Sequence, residues 1–231
     1  METNSGETQM LTIMQMCDSA FPTGGFSHSM GFESAHKHHN VTDMESFRRF
    51  ILASLENTAT KMVPFVREAH ESADLMDAII ELDEHCQTCL TNHVENRASR
   101  RQGRALLDTS IETFIDVTML RDLKVLVEDD RLLGHLPVVF GVVCASLQVG
   151  QKSTCLMFMY NSLRTMIASS VRLGFAGTLQ AQGIQHEIQQ LIPEIVDRHR
   201  SISVGEVHVS FPSVDVLQNL HDTMFSKLFY S

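Results

Sequence analysis

A chain of 231 residues with a formal net charge of −10 and 43% hydrophobic side chains fits one large domain or two small ones and has ample material for a core. The charge excludes an extended nucleic-acid-binding face, because Lys and Arg cluster only once, at Arg97, Arg100, Arg101 and Arg104. An odd count of five cysteines in a chain expected to be cytoplasmic points to free thiols rather than a disulfide framework.

The first ten residues carry no basic, apolar leader pattern, and residues 1–8 are expected to be flexible. Met10, Ile13, Met14 and Cys17 then fall at helical spacing. The run Asp18–Glu33, DSAFPTGGFSHSMGFE, breaks that helix with Pro22, Gly24 and Gly25. It reads either as a tight helix–helix turn with Phe21 and Phe26 tucked inward or as a recognition corner presenting His28, Ser29 and their neighbours; Gly25 is expected at positive φ. Thr42 and Glu45 have capping-box spacing, and Phe47, Phe50, Ile51 and Leu55 line one side of the following helix. Pro64 marks a first-turn position or a kink.

Residues 74–118 read as two helices with a break near 92–96. Pro137 opens a helix over 138–149 that is apolar nearly all round, suited to the centre of a bundle. That stretch is too short, and too broken by Pro137 and Gly141, for the roughly 20 residues of a membrane span. Ser153 is expected to cap a long helix with the stripe Leu156, Met159, Tyr160, Leu163, Ile167 and Val171, ended by a left-handed Gly174. Another helix follows over 178–191 and stops before Pro193. Residues 200–212 alternate in a strand-like way with no partner strand and read as an extended connector. Residues 213–231 form an amphipathic tail helix whose Leu217, Leu220, Met224, Phe225, Leu228 and Phe229 share a face; packing on its own bundle is slightly favoured. No repeat or domain boundary interrupts the chain, so residues 1–231 are expected to form a single compact all-α bundle of about eight to ten helices.

Enzyme motifs fail on inspection. Gly150-Gln151-Lys152-Ser153 lacks the glycines of a phosphate loop, and no βαβ unit surrounds Gly24–Gly31. His85, Cys86, Cys89 and His93 have the spacing of nickel or zinc ligands on a helix, and His36, His38 and His39 crowd another stretch. A single C-x-x-C without a second pair is a weak motif, so no metal site is assigned and these four remain candidates. Arg97, Arg100, Arg101 and Arg104 share one helix side, either as an anchor for a partner's carboxylates or in salt bridges to Glu95 and Asp108. Gly103 among them implies a close neighbour. The 13 methionines read as adaptable core filling.

The residues Asp18, Ala20, Pro22, Gly24, Gly25, Phe26, Ser27, Ser29, Gly31 and Glu33 resemble the opening signature of the urease accessory protein F family, UreF. Ala98–Leu107, His135–Gly141, Ser169–Gly174 with Gln180–Gln182, and His221-Asp222 with Ser226–Ser231 extend the resemblance along the chain. It implies an all-helical, homodimeric, cytoplasmic protein with no catalytic activity and no cofactor. Such a protein would bridge UreD (UreH in some organisms) and the GTPase UreG while nickel is inserted into apo-urease; a direct nickel carrier is the alternative. Partner contacts would fall on Phe21, Pro22, Gly24, Gly25, Phe26, His28, Ser29 and Glu33 of the corner, and on Arg100, Arg104 and Arg172. In the tail they would fall on His221, Asp222, Phe225, Lys227, Leu228, Phe229 and Tyr230, which would order on binding UreD.

Overall fold

The core is built around one short helix whose sides are almost all apolar. In the computed structural model, which describes residues 5–231, this is the eighth of twelve α-helices, Leu136–Ser146. Before it come α1 (Ser5–Cys17), α2 (Phe32–Lys37), α3 (Met44–Lys61), α4 (Val63–Glu71), α5 (Met76–Cys89), α6 (His93–Thr113) and α7 (Met119–Glu128). After α8 come α9 (Gln151–Arg172), α10 (Thr178–Gln189), α11 (Ile192–Arg198) and α12 (Pro212–His221). There is no strand among the described residues. The all-α expectation holds; ten of the helices run nine residues or more, and the short α2 and α11 raise the count to twelve.

Pro137 through Cys144 of α8 are all buried. The helix packs against α4, α6 and α9, and each large aliphatic or aromatic side chain removed from water there contributes about 1.5–3 kcal/mol. Two glycines set the spacing. A Cβ on Gly141 would lie 2.4 Å from the Val66 carbonyl oxygen, and one on Gly103 would lie 2.1 Å from that of Gly134. Close packing at Gly103 is therefore as the sequence implied. The Asp83 carboxylate fastens the entry to α8, accepting the N–H groups of Leu133 (2.6 Å), Gly134 (3.0 Å) and His135 (2.8 Å). Burial pushes the Asp83 carboxyl above its ordinary value, and those three bonds oppose the push.

Several boundaries differ from the sequence reading. The box at the start of α3 is Asp43–Ser46 rather than Thr42–Glu45: Ser46 N–H donates to Asp43 Oδ1 (2.8 Å) while Ser46 Oγ accepts the Asp43 N–H (3.1 Å). The break after α5 comes at Leu90, and Asn92 caps α6 through its side-chain oxygen. Helix α8 ends at Ser146, three residues early, where Gln148 takes φ +58°. Gly150 rather than Ser153 precedes α9, while Gly174 is left-handed as expected (φ +69°). Pro64 and Pro193 both sit in first turns, of α4 and α11. The face of α1 that meets the bundle uses Met16, whereas Met10 and Met14 are exposed.

Of the flexible stretch expected over residues 1–8, residues 1–4 lie outside the described residues and α1 has begun by Ser5. The connector over 200–212 contains a 3-10 turn, Val204–Glu206. The tail is not one helix over 213–231: α12 ends at His221, and turns follow. The N–H groups of Asp222, Thr223 and Met224 still bond back to α12, but those of Leu228, Phe229 and Tyr230 bond to the corner, so the apolar stripe splits. Phe229 is buried and Phe225 is fully exposed.

Candidate partner-docking site

The corner and the tail, about 200 residues apart in sequence, form one structure. Asp18 accepts the Ala20 N–H (2.7 Å), and Phe21 turns inward toward Phe114, with ring centroids 6.2 Å apart. Thr109 of α6 donates to the Pro22 carbonyl (2.9 Å). Gly24 takes φ +77° and opens a 3-10 turn, Gly25–Ser27; Met30 and Gly31 follow at +54° and +83°. The positive φ expected at Gly25 therefore belongs to Gly24. Neither sequence reading holds whole: Phe21 is buried as the turn reading expects, but Phe26 is 68% exposed, and His28 and Ser29 are buried rather than presented.

His28, Ser29 and Glu33 point inward and hold the tail. The Ser231 carbonyl accepts from Ser29 N–H (2.7 Å) and Ser29 Oγ (2.6 Å), and His28 Nδ1 meets Ser231 Oγ at 2.6 Å. Tyr230 N–H donates to the Ser27 carbonyl (2.8 Å). The Glu33 carboxylate accepts Leu228 N–H (2.7 Å) and Phe229 N–H (3.0 Å) and pairs with Lys37 (3.0 Å). Burial pushes its pKa up, but these bonds and the lysine outweigh that, and Glu33 lies below the ordinary glutamate value. Arg172 stacks between two rings, its guanidinium 3.7 Å from the Phe26 centroid and 4.3 Å from that of Phe229, and donates to the Phe26 carbonyl. Beneath the corner lies a cavity of about 120 Å³, lined by residues including His28, Met30, Glu95, Gln102 and Arg164.

The arginine row of α6 borders this assembly. Arg97 pairs with Asp222 (2.9 Å), which also meets His93 (3.1 Å) and Lys227 (3.6 Å); with Arg97 foremost, these hold the Asp222 carboxyl at about 2. Arg101 lies over the Tyr230 ring, 4.9 Å from its centroid. Arg104 Nε donates to the Leu133 carbonyl (3.0 Å). The salt bridges from the row to Glu95 and Asp108 are not formed: Glu95 pairs with the buried Lys61 of α3, Asp108 pairs with Lys124, and the tail supplies the carboxylate on Arg97.

The UreF family model matches residues 41–189. The chain is 33% identical over 216 residues to a urease accessory protein F of Oryza sativa subsp. indica, covering 93% of this chain and 82% of that protein. It is 33% identical over 223 residues to urease accessory protein F of Arabidopsis thaliana (94% and 90% covered), and 24% identical over 227 residues to urease accessory protein UreF of Bacillus sp. strain TB-90 (96% and 99%). The chain belongs to the UreF family.

Within this UreF-family chain, most residues singled out from the sequence do meet. The corner, Arg172, His221, Asp222 and Leu228–Tyr230 share one assembly, and Arg100 and Arg104 lie in the groove beside it. Phe225 and Lys227 stand on its outer side, and Phe225 touches solvent all round. Lys37, Arg97 and Arg101 also hold the tail. Lys37, four residues after Glu33, had a sequence signal; no local pattern links Arg97 to Asp222.

The metal candidates do not converge. Cys86 is fully buried, and burial raises its thiol pKa well above the ordinary value. His85 packs its ring against Phe65 (5.5 Å), and His93, on the next helix, faces Asp222. Among the described residues no three or more His, Cys, Asp or Glu side chains gather as a metal would require. No helix among those residues is long and apolar enough to cross a membrane.

Proposed function

We propose that this chain serves urease maturation as a non-catalytic, cytoplasmic, homodimeric scaffold that bridges UreD (UreH) and the GTPase UreG on apo-urease during nickel insertion. Membership of the UreF family and the names of its relatives as urease accessory proteins support the setting. The observation that carries the docking role is the folded tail. Buried polar bonds fix residues 228–231 to the corner, and that fixing leaves Phe26, Phe225, Leu228 and Tyr230 exposed around one assembly. Exposed aromatics presented on a rigid mount are the anchors that protein interfaces use. In this reading UreD covers the surface that the folded tail presents. A direct nickel carrier would need converging donors, which His85, Cys86, Cys89 and His93 do not provide.

Size-exclusion chromatography with light scattering, with and without UreD and UreG, tests the proposal. A ternary complex that is lost on replacing Phe225 and Tyr230 by alanine is the expected result. Unimpaired assembly by that double variant would remove the tail from the interface.

A further inference from the structure

We propose that the groove between the end of α5 and the arginine row of α6 docks an extended acidic segment of a partner protein, and that Asp222 of the tail is its built-in competitor. The inference rests on the scaffold reading and adds the chemistry of one contact.

The groove is lined by Gln87, Thr88, Asn96, Arg97, Arg100 and Arg104 among others, and none of its lining side chains is acidic. On a chain of net charge −10, that makes it a local positive strip. Arg100 faces it with no ion pair among the described residues, and the Nη2 of Arg104 is buried without a hydrogen-bond partner. One carboxylate already shows how the row binds acids: Asp222 meets Arg97 Nη1 at 3.2 Å and Arg97 Nη2 at 2.9 Å, from the rim. Arg97 to Arg101 and Arg100 to Arg104 are each one helical turn, roughly 6 Å along the axis. Alternate side chains of an extended peptide are spaced roughly 6.6 Å apart. Carboxylates two residues apart in a partner therefore match successive arginines of the row, while the amides and hydroxyls of Gln87, Thr88 and Asn96 can bond its main chain. The groove is open along its length, which suits a peptide better than a small enclosed anion.

The tail uses the same arginines, since Arg97 carries Asp222 and Arg101 carries Tyr230. A partner that lifts the tail frees both, so tail release and acidic-segment binding favour each other.

The test is fluorescence anisotropy with a labelled peptide of alternating glutamate and serine, titrated with the full chain at low and at physiological salt. Wild type should bind, with affinity falling steeply as salt rises. Arg100→Glu should weaken binding at least about tenfold, and Asp222→Asn should strengthen it several-fold by freeing Arg97. Lys152→Glu, a charge change of the same sign at an exposed pair with Asp197 on α9, serves as the control and should leave affinity unchanged. No peptide binding at low salt, or equal loss in Arg100→Glu and Lys152→Glu, overturns the docking site. So does displacement of the peptide by sub-millimolar inorganic phosphate, or self-association through the groove that the peptide does not oppose. Unchanged affinity in Asp222→Asn overturns the competition. None of these readings involves UreD or UreG, so failure here is distinct from failure of the bridging role.

Discussion

Glu33 and His221 face each other 3.5 Å apart with neither side chain exposed to solvent. Burial pushes the His221 pKa down, and the Glu33 charge only partly restores it, so the imidazole is held neutral below its ordinary pKa. Burial likewise lowers His28 and His135 to about 4, helped by nearby arginines. Each of the three is neutral in the fold between its folded value and the ordinary 6.5, where the unfolded chain binds a proton. Stability is therefore full above about pH 7 and falls as pH drops from about 6.5 toward 4, by up to about 1.4 kcal/mol per pH unit for each of His28 and His135, and His221 adds a loss in the same direction. Glu33 adds a second loss below its ordinary value of 4.5, because its folded pKa is depressed. Urea denaturation from pH 8 to 4.5 checks this; a flat profile down to pH 5 would mean that these rings charge without unfolding.

Gly103 and Gly183 are both helical, with opposite surroundings. A Cβ at Gly103 collides with backbone at 2.1 Å and 2.8 Å, and backbone cannot rotate away; a Cβ at Gly183 meets nothing within 4 Å. Gly103→Ala should destabilise by about 1–3 kcal/mol or more through forced separation of α6 from the entry to α8. Gly183→Ala should stabilise by about 0.8–1.0 kcal/mol through helix propensity. Paired chemical denaturation curves decide, and equal signs for the two would refute the packing argument.

What the sequence made legible was whatever local periodicity and local chemistry determine. The apolar run after Pro137 identified the central helix, and the glycine within the arginine row announced a close neighbour. The end of α12 was not legible. The stripe from Leu217 to Phe229 is helical in spacing, yet Glu33 and the Ser27 carbonyl accept the N–H groups of Leu228, Phe229 and Tyr230, and Ser29 donates to the Ser231 carbonyl. A competitor for backbone bonds that lies about 200 residues away leaves no trace in a window of the sequence. The corner itself was legible, but which glycine carries the turn was not, because Gly24 and Gly25 are equivalent until the chain path is fixed.

That distinction is testable. Gly24 sits at φ +77°, whereas Gly25 has no positive φ and a Cβ there would meet its neighbours at 3.6–3.7 Å, ordinary contact. Gly24→Ala should cost about 1–2 kcal/mol through left-handed strain, and Gly25→Ala should be near neutral. Thermal melts of the two variants, measured side by side, should separate by several degrees; the reverse order would place the left-handed residue at Gly25.

The two tail phenylalanines should separate docking from folding. Phe229 is 3% exposed and lies against Arg172, whereas Phe225 is fully exposed. Phe229→Ala should destabilise by about 3 kcal/mol, at the low end for a buried aromatic because the tail can settle. Phe225→Ala should change stability by less than about 0.5 kcal/mol. If the tail surface docks UreD, Phe225→Ala loses capture without losing stability, which no folding defect can imitate. Deleting residues 222–231 is a weaker test: it also strips Glu33, Ser29 and Arg97 of their partners, so lost capture would be mixed with a loosened corner. Co-purification of UreD with each variant, next to its denaturation midpoint, gives the answer. Full capture by Phe225→Ala together with loss in Phe229→Ala would show that the tail matters only as packing.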